Sequence, residues 1–193
     1  VCALAADRYA AAVELLATRL FVHHAAGKVI GDPSVTNPAS IRCFARAGFT
    51  PTGAVKTPDG PAELMVLTRR AFEGVRTVRR FWTEVHLQRW PRARALLADT
   101  FEARWPHTGE RFSSPSAFIE MNATYPGQHT IRVLEVTPTT DEIVSVVHVT
   151  SRNPDQECWA TSRFRLVDGK LARVTEYCTD RQPAPQWRER FTG

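Results

Sequence analysis

Lysine is scarce in this chain: it occurs only at Lys28, Lys56 and Lys170, although the net charge is +5. No apolar run approaches the ~20 residues that span a bilayer; the longest, around Ala10 to Val22, is interrupted by Glu14 and Arg19. No basic stretch followed by an apolar run and a small-residue cleavage site opens the chain, so no export signal is expected. The four cysteines, Cys2, Cys43, Cys158 and Cys178, never fall at the short spacing of a zinc or redox motif. Without an export signal, disulfides are not expected, and all four read as small packing residues. A membrane protein and a cysteine-rich metal site are excluded on these grounds. The remaining composition, 43% hydrophobic, is that of a globular protein, and a bacterial cytoplasmic one is the expectation.

The positive charge lies in arginine and is unevenly placed. Arg76, Arg79, Arg80, Arg89, Arg92 and Arg94 crowd one stretch against a single Glu84. A nucleic-acid patch would need aromatic residues interleaved as stacking platforms, and these are missing. The cluster therefore reads as a solvated helix face, and neither nucleic acid nor membrane is an expected partner.

The composition changes near Gly74, which divides the chain into residues 1–75 and 76–193. In the first part, Tyr9, Val13, Leu16 and Leu20 recur at helical spacing between Asp7 and His24. A short strand follows at Lys28 to Gly31. Asn37-Pro38 opens a second helix as cap and first-turn proline, and Gly48 closes it. Gly53 to Thr57 and Ala62 to Thr68 flank Pro58-Asp59-Gly60, a hairpin signal. The first residue is valine, which implies either a non-standard start codon or a beginning inside a longer protein.

The segment Asp32-Pro33-Ser34 through Asn37-Pro38-Ala39-Ser40-Ile41-Arg42-Cys43-Phe44-Ala45-Arg46-Ala47-Gly48-Phe49, with Thr57 to Ala62 and Leu64 to Glu73, resembles the C-terminal half of a GCN5-related N-acetyltransferase. The likeness is to the aminoglycoside 6′-N-acetyltransferases and covers roughly residues 12–73. It implies a coenzyme A pyrophosphate bound on a glycine-rich turn at a helix start, where backbone N–H groups meet phosphate. Here that start reads Ala5-Ala6-Asp7-Arg8-Tyr9-Ala10, with no glycine and with a carboxylate that repels phosphate. Phe44 stands where the family usually has a tyrosine to protonate the departing thiolate, and it has no proton to give. This part is therefore expected to be a partial α/β segment without acetyl transfer of its own, and no cofactor is expected.

After Gly74 the order is two helices, with Phe81-Trp82 in the first and Trp90-Pro91 opening the second. A strand at Phe101 to Trp105, a third helix capped by Ser113, and four strands follow. The strands are His129 to Thr137, Glu142 to Ser151, Glu157 to Val167 and Lys170 to Tyr177, the last two joined by the Asp168-Gly169 turn. On Phe81-Trp82, Trp90, Leu96 to Asp99, Phe101 to Pro106, Gly109 to Phe112, Phe118 to Asn122, Tyr125 to Gly127 and Asp168 to Tyr177, this part resembles the SnoaL-like branch of the nuclear-transport-factor-2-like superfamily. The resemblance implies an α+β fold: a cone-shaped, curved antiparallel sheet with three helices around a small-molecule pocket, commonly a homodimer. It also implies several possible chemistries, among them isomerase, cyclase and hydrolase.

Two titratable groups stand out on apolar strands. His148 lies among valines and reads either as a general base or as a core histidine bonded to a neighbour. Glu176 shares strand alternation with Ala172, Val174 and Cys178. It reads either as a proton-transfer carboxyl with a raised pKa or as the partner of Arg163 or Arg165. Trp105, Phe118, Met121, Tyr125 and Trp159 are candidates to line the cavity, and Asn122 to point an amide into it. His107 and Glu110 are placed at its mouth, where they fall short of a metal set. The expected function is binding of a small molecule with proton transfer. The alternatives are an acyltransferase-related protein and a non-catalytic dimerising module.

Overall fold

The computed structural model describes residues 2–152 and 155–191, with the side chains of residues 2–8, 189 and 190 outside the description. The repulsion expected of Asp7, and the packing of Cys2, therefore lie outside the described residues. No described helix is long and apolar enough to cross a membrane.

The first part builds a small three-stranded sheet. Helix α1 (Cys2–His23) begins five residues before the expected Asp7 and leads through β1 (Lys28–Gly31) to α2 (Pro38–Arg46). Asn37 caps α2 as its sequence implies, its Oδ1 accepting from the Ser40 N–H at 3.0 Å. Strands β2 (Thr50–Thr57) and β3 (Gly60–Thr68) form the expected hairpin, and both β1 and β2 pair antiparallel to β3. Ala17 and Phe21 from α1 close this sheet together with Phe49, Met65 and Leu67.

Helix α3 (Arg69–His86) joins the two parts without a break. Its apolar stripe serves two cores. Phe72 packs on Phe21 with ring centroids 4.8 Å apart, whereas Val75, Val78, Phe81, Trp82 and Val85 belong to the second core. Gly74, where the composition changes, is an interior residue of this helix. A Cβ there would stand 2.9 Å from Ile143 Cδ1, so the glycine admits a strand side chain to the helix backbone. At the helix start, Arg69 donates to Phe21 O at 2.6 Å and to Ala26 O at 3.1 Å, satisfying carbonyls at and after the end of α1.

The second part continues with α4 (Trp90–Ala95), β4 (Leu97–Trp105), β5 (Glu110–Phe112), α5 (Pro115–Thr124), β6 (Gln128–Pro138), β7 (Ile143–Arg152), β8 (Gln156–Val167) and β9 (Lys170–Asp180). Ser114, and not Ser113, caps α5, its Oγ accepting from the Ala117 N–H at 3.3 Å. Glu110, expected at the cavity mouth, opens the short strand β5. The sheet order is β5-β4-β9-β8-β7-β6. All its pairings are antiparallel except β4 with β9, where the returning chain runs beside the first long strand in the same direction. Asp168 and Gly169 take φ of 49° and 74°, as a two-residue hairpin turn demands. Register shifts at Val133/Glu135 in β6 and between Arg165 and Leu166 on the β8–β9 pair bend the sheet toward a cone.

Phe81, Trp82 and Phe164 meet edge to face at the centre of the second core, with centroids 5.3–6.1 Å apart. Buried Trp82 donates its Nε1–H to Ser145 Oγ at 2.9 Å. Ser145 is wholly buried, so this bond is its protection against an unmet hydroxyl. Trp82→Phe should destabilise the fold by about 1–3 kcal/mol, as read from urea unfolding. Adding Ser145→Ala to it should cost less than the two single changes summed; full additivity would show that the bond contributes nothing.

Candidate functional site

Between the inner face of the large sheet and helices α3, α4 and α5 lies a cavity of about 720 Å³. Its helix side and base are aromatic, from Phe81, Trp82, Trp90, Trp105 and Phe118. Its strand side carries Ile131, Val149, Cys158, Ala160, Glu176 and Cys178. Its rim is polar, with Gln88, His107, Glu110, Gln128 and Asp180 all exposed.

Of the candidate residues, Trp105, Phe118, Asn122, Tyr125 and Glu176 line this cavity, as do His107 and Glu110 at the rim. Asn122 lends its amide nitrogen to Phe118 O at 2.8 Å, which leaves its oxygen as the group available to a ligand. Met121 packs against the core instead. His148 and Trp159 are not among the residues that line this cavity, because they pair across β7 and β8 on the outer face of the sheet, and His148 takes the neighbour-bonded alternative. Strand alternation is the reason: Val147 and Ala160, one residue away, take the inner face. The His148 ring stacks on Trp159 at 4.8 Å, and its Nε2 meets Glu157 Oε1 at 2.8 Å. Arg181 and then His148 bond to Glu157 and hold its carboxyl below the usual range.

Glu176 is the ionisable group of the inner wall, 7% exposed. It stands opposite wholly buried Ser162, whose Oγ–H donates to Oε2 at 2.6 Å. Cys178 Sγ lies 3.8 Å from Oε1. Neither Arg163 nor Arg165 reaches it; Arg163 pairs with Glu142 at 2.6 Å on the other face. Burial drives the Glu176 pKa upward, and the bonds from Ser162 and Cys178, with the charge of His107, only temper the rise. The Trp105 Nε1–H is buried with no hydrogen-bond partner among the described residues, yet close enough to Glu176 to oppose the same rise. Burial also keeps the Cys158 and Cys178 thiols protonated well above their ordinary range. Such thiols are poor nucleophiles, whereas the upward shift of Glu176 favours its proton-bearing form, and the indole N–H of Trp105 beside it is unsatisfied.

Ser162 and the rim residue Gln88 were not singled out in the sequence, and Cys158 and Cys178, read there as small packing residues, line the cavity. The Asp168-Gly169 turn would have located Ser162 but for the irregular pairing after it. Counting outward from that turn sets Thr161 opposite Glu176, and the extra residue Ala172 moves the pairing to Ser162.

Residues 78–174, half of the chain, match the family model described as "SnoaL-like domain". The chain aligns with the crystal structure of a proposed ketosteroid isomerase from Kribbella flavida DSM 17836, over 63% of this chain and 88% of that one (TM-score 0.57, 22% identity). An NTF-2 like protein from Burkholderia xenovorans LB400 aligns over 63% of this chain and 94% of that one (TM-score 0.54, 17% identity). At these identities the likeness establishes the fold. A 66-residue stretch is 48% identical to aminoglycoside N(6′)-acetyltransferase type 1 of Klebsiella pneumoniae, covering 34% of this chain and 33% of that enzyme. The chain thus spans about a third of that relative's length.

The raised Glu176 pKa has a pH signature of definite sign. From its ordinary value of 4.5 up to the folded value, the native state holds a proton that the unfolded chain has released. Stability due to this group is therefore complete at or below about pH 4.5 and declines as pH rises through the folded pKa. Glu176→Gln keeps the shape and cannot ionise. The difference in Tm between Glu176→Gln and the parent should widen in favour of the variant as pH increases. A difference constant from pH 4 to 9 would contradict the burial argument.

Proposed function

The chain belongs to the SnoaL-like domain family, and on that premise we propose that it binds a mostly apolar small molecule in the cone and moves a proton on it through Glu176. The observation that carries this reading is the carboxyl buried in the pocket wall, bonded to Ser162 and forming no ion pair within 4.0 Å among the described residues. A neutral carboxyl can give its proton to a ligand oxygen while the Trp105 N–H polarises the same atom. The carboxylate then formed keeps the Ser162 bond and gains the Trp105 donor. As a carboxylate, the same group can instead take a proton from the carbon beside a carbonyl, which leaves an enolate and a neutral carboxyl. Isomerisation, cyclisation and hydrolysis can each use such a step.

The acetyltransferase-like part is assigned no transfer of its own. Phe44 has no hydroxyl, and its ring sits edge-on against Phe49 at 5.0 Å. Residues 1–75 and 76–193 are taken as two units that share α3.

The proton-transfer reading is tested with 2-tetralone, an enolisable aromatic ketone, by following α-proton exchange into D₂O by NMR. The protein should accelerate exchange, and Glu176→Gln should lose ~10²–10⁴ of that acceleration. No acceleration by the parent, or an equal one by the variant, would sink the reading.

The partner arrangement inferred is a homodimer through the outer face of the large sheet, where Trp159 (36% exposed) and Tyr177 (45% exposed) stand beside the His148–Glu157 pair. Sedimentation should give about twice 21.6 kDa. Trp159→Glu with Tyr177→Glu should give the monomer mass while leaving the Tm within a few degrees, and a monomeric parent would refute the arrangement.

A further inference from the structure

Helix α3 ends in a Schellman turn. The Arg89 N–H donates to Glu84 O at 2.8 Å, and the Gln88 N–H donates to Val85 O at 2.9 Å. This closure sets residue 88 in the left-handed region, with φ of 53°. Glycine ordinarily fills that place, because a Cβ there crowds the neighbouring carbonyl. Glutamine gains nothing locally in exchange. Its side chain is exposed and makes no hydrogen bond or ion pair among the described residues. It does line the cavity, at the rim and beside Trp90.

Strain at one backbone position, a free amide and a place on the pocket rim coincide in this residue. We infer that Gln88 is a specificity residue whose amide recognises a polar group at the outer end of the ligand. The ligand class is then an elongated, rigid, mainly apolar molecule with a hydrogen-bonding group at each end. The inner group meets Glu176 and Trp105, and the outer one meets Gln88. The two protein groups sit at opposite depths: Glu176 is buried in the wall, and Gln88 is exposed at the mouth. A carboxamide both donates and accepts, so a hydroxyl or a keto oxygen satisfies it equally. This inference rests on the pocket reading given under Proposed function.

The probes are 4-phenylphenol, with one polar end, and 4,4′-dihydroxybiphenyl, with two, measured by calorimetry on the full chain. The parent should bind the diol about fivefold more tightly, the worth of one added hydrogen bond. Gln88→Gly and Gln88→Ala should both abolish that preference and leave 4-phenylphenol affinity unchanged. Gln88→Gly alone should also raise Tm by about 2–4 °C, because it relieves the left-handed strain that alanine retains. The inference is overturned if the parent shows no preference, if the preference survives both substitutions, or if Gln88→Gly fails to raise Tm. Glu176→Leu separates the two levels of argument, since it should weaken both probes alike. If it weakens neither, or if neither probe binds the parent, the pocket reading itself falls and takes this inference with it.

Discussion

Helix α3 must bury a single apolar stripe against two different sheets, and the rest of the structure is arranged around that requirement. Phe72 fills the small core; Val75, Val78, Phe81, Trp82 and Val85 fill the large one. Each such side chain contributes roughly 1.5–3 kcal/mol on burial, so one helix supplies a large share of both cores. Between the two sets stands Gly74, where the helix backbone itself is the surface that Ile143 packs against. The ends of α3 are equally committed. Arg69 holds the end of α1 from one side, and the terminal turn delivers Gln88 to the pocket from the other.

The same helix accounts for much of the arginine cluster. Glu84 is buried to 6% exposure, and its Oε2 finds no hydrogen bond among the described residues. Arg80 and Arg89 stand 3.9 and 4.0 Å from its carboxylate, offering charge where no donor reaches. Arg76 lies over the Phe72 ring at 5.2 Å, and Arg94 bonds to Asp99 at 3.2 Å. Four of the six crowded arginines thus have local partners. A run of like charge in the sequence becomes, in the fold, a set of separate neutralising and stacking contacts.

Most elements of this chain were legible because local chemistry marks them. Asn37-Pro38, Pro58-Asp59-Gly60 and Asp168-Gly169 each announce a cap or a turn, and the strands between turns follow. What remained hidden depends on pairing between distant strands. Both faces of β7 are apolar, so alternation could not say which of Val147 and His148 looks inward; only Ala160 and Trp159 across β8 decide it. Glu176 is the sharper case. With regular pairing it would share a face with Thr161, Arg163 and Arg165, and a salt bridge would be reasonable. The extra residue at Ala172 shifts the register by one, which turns the carboxyl toward Ser162 and away from every arginine on β8. A single unpaired residue therefore separates an ion pair on the surface from a buried carboxyl with a raised pKa in a pocket. The parallel pairing of β4 with β9 was likewise unreadable, since it joins residues more than seventy positions apart.

The continuity of α3 has a consequence for how the two sheets are set against each other. A helix advances by about 100° per residue, so the stripe that enters the small core and the stripe that enters the large one are locked in phase. Adding or removing one residue near Gly74 would swing one sheet a quarter-turn or more around the axis of the other. Only length changes that nearly complete whole turns would return both stripes to their cores. The junction of the two sheets is thus a matter of angle as well as of sequence, and the shared helix works as a keyed shaft, not a tether.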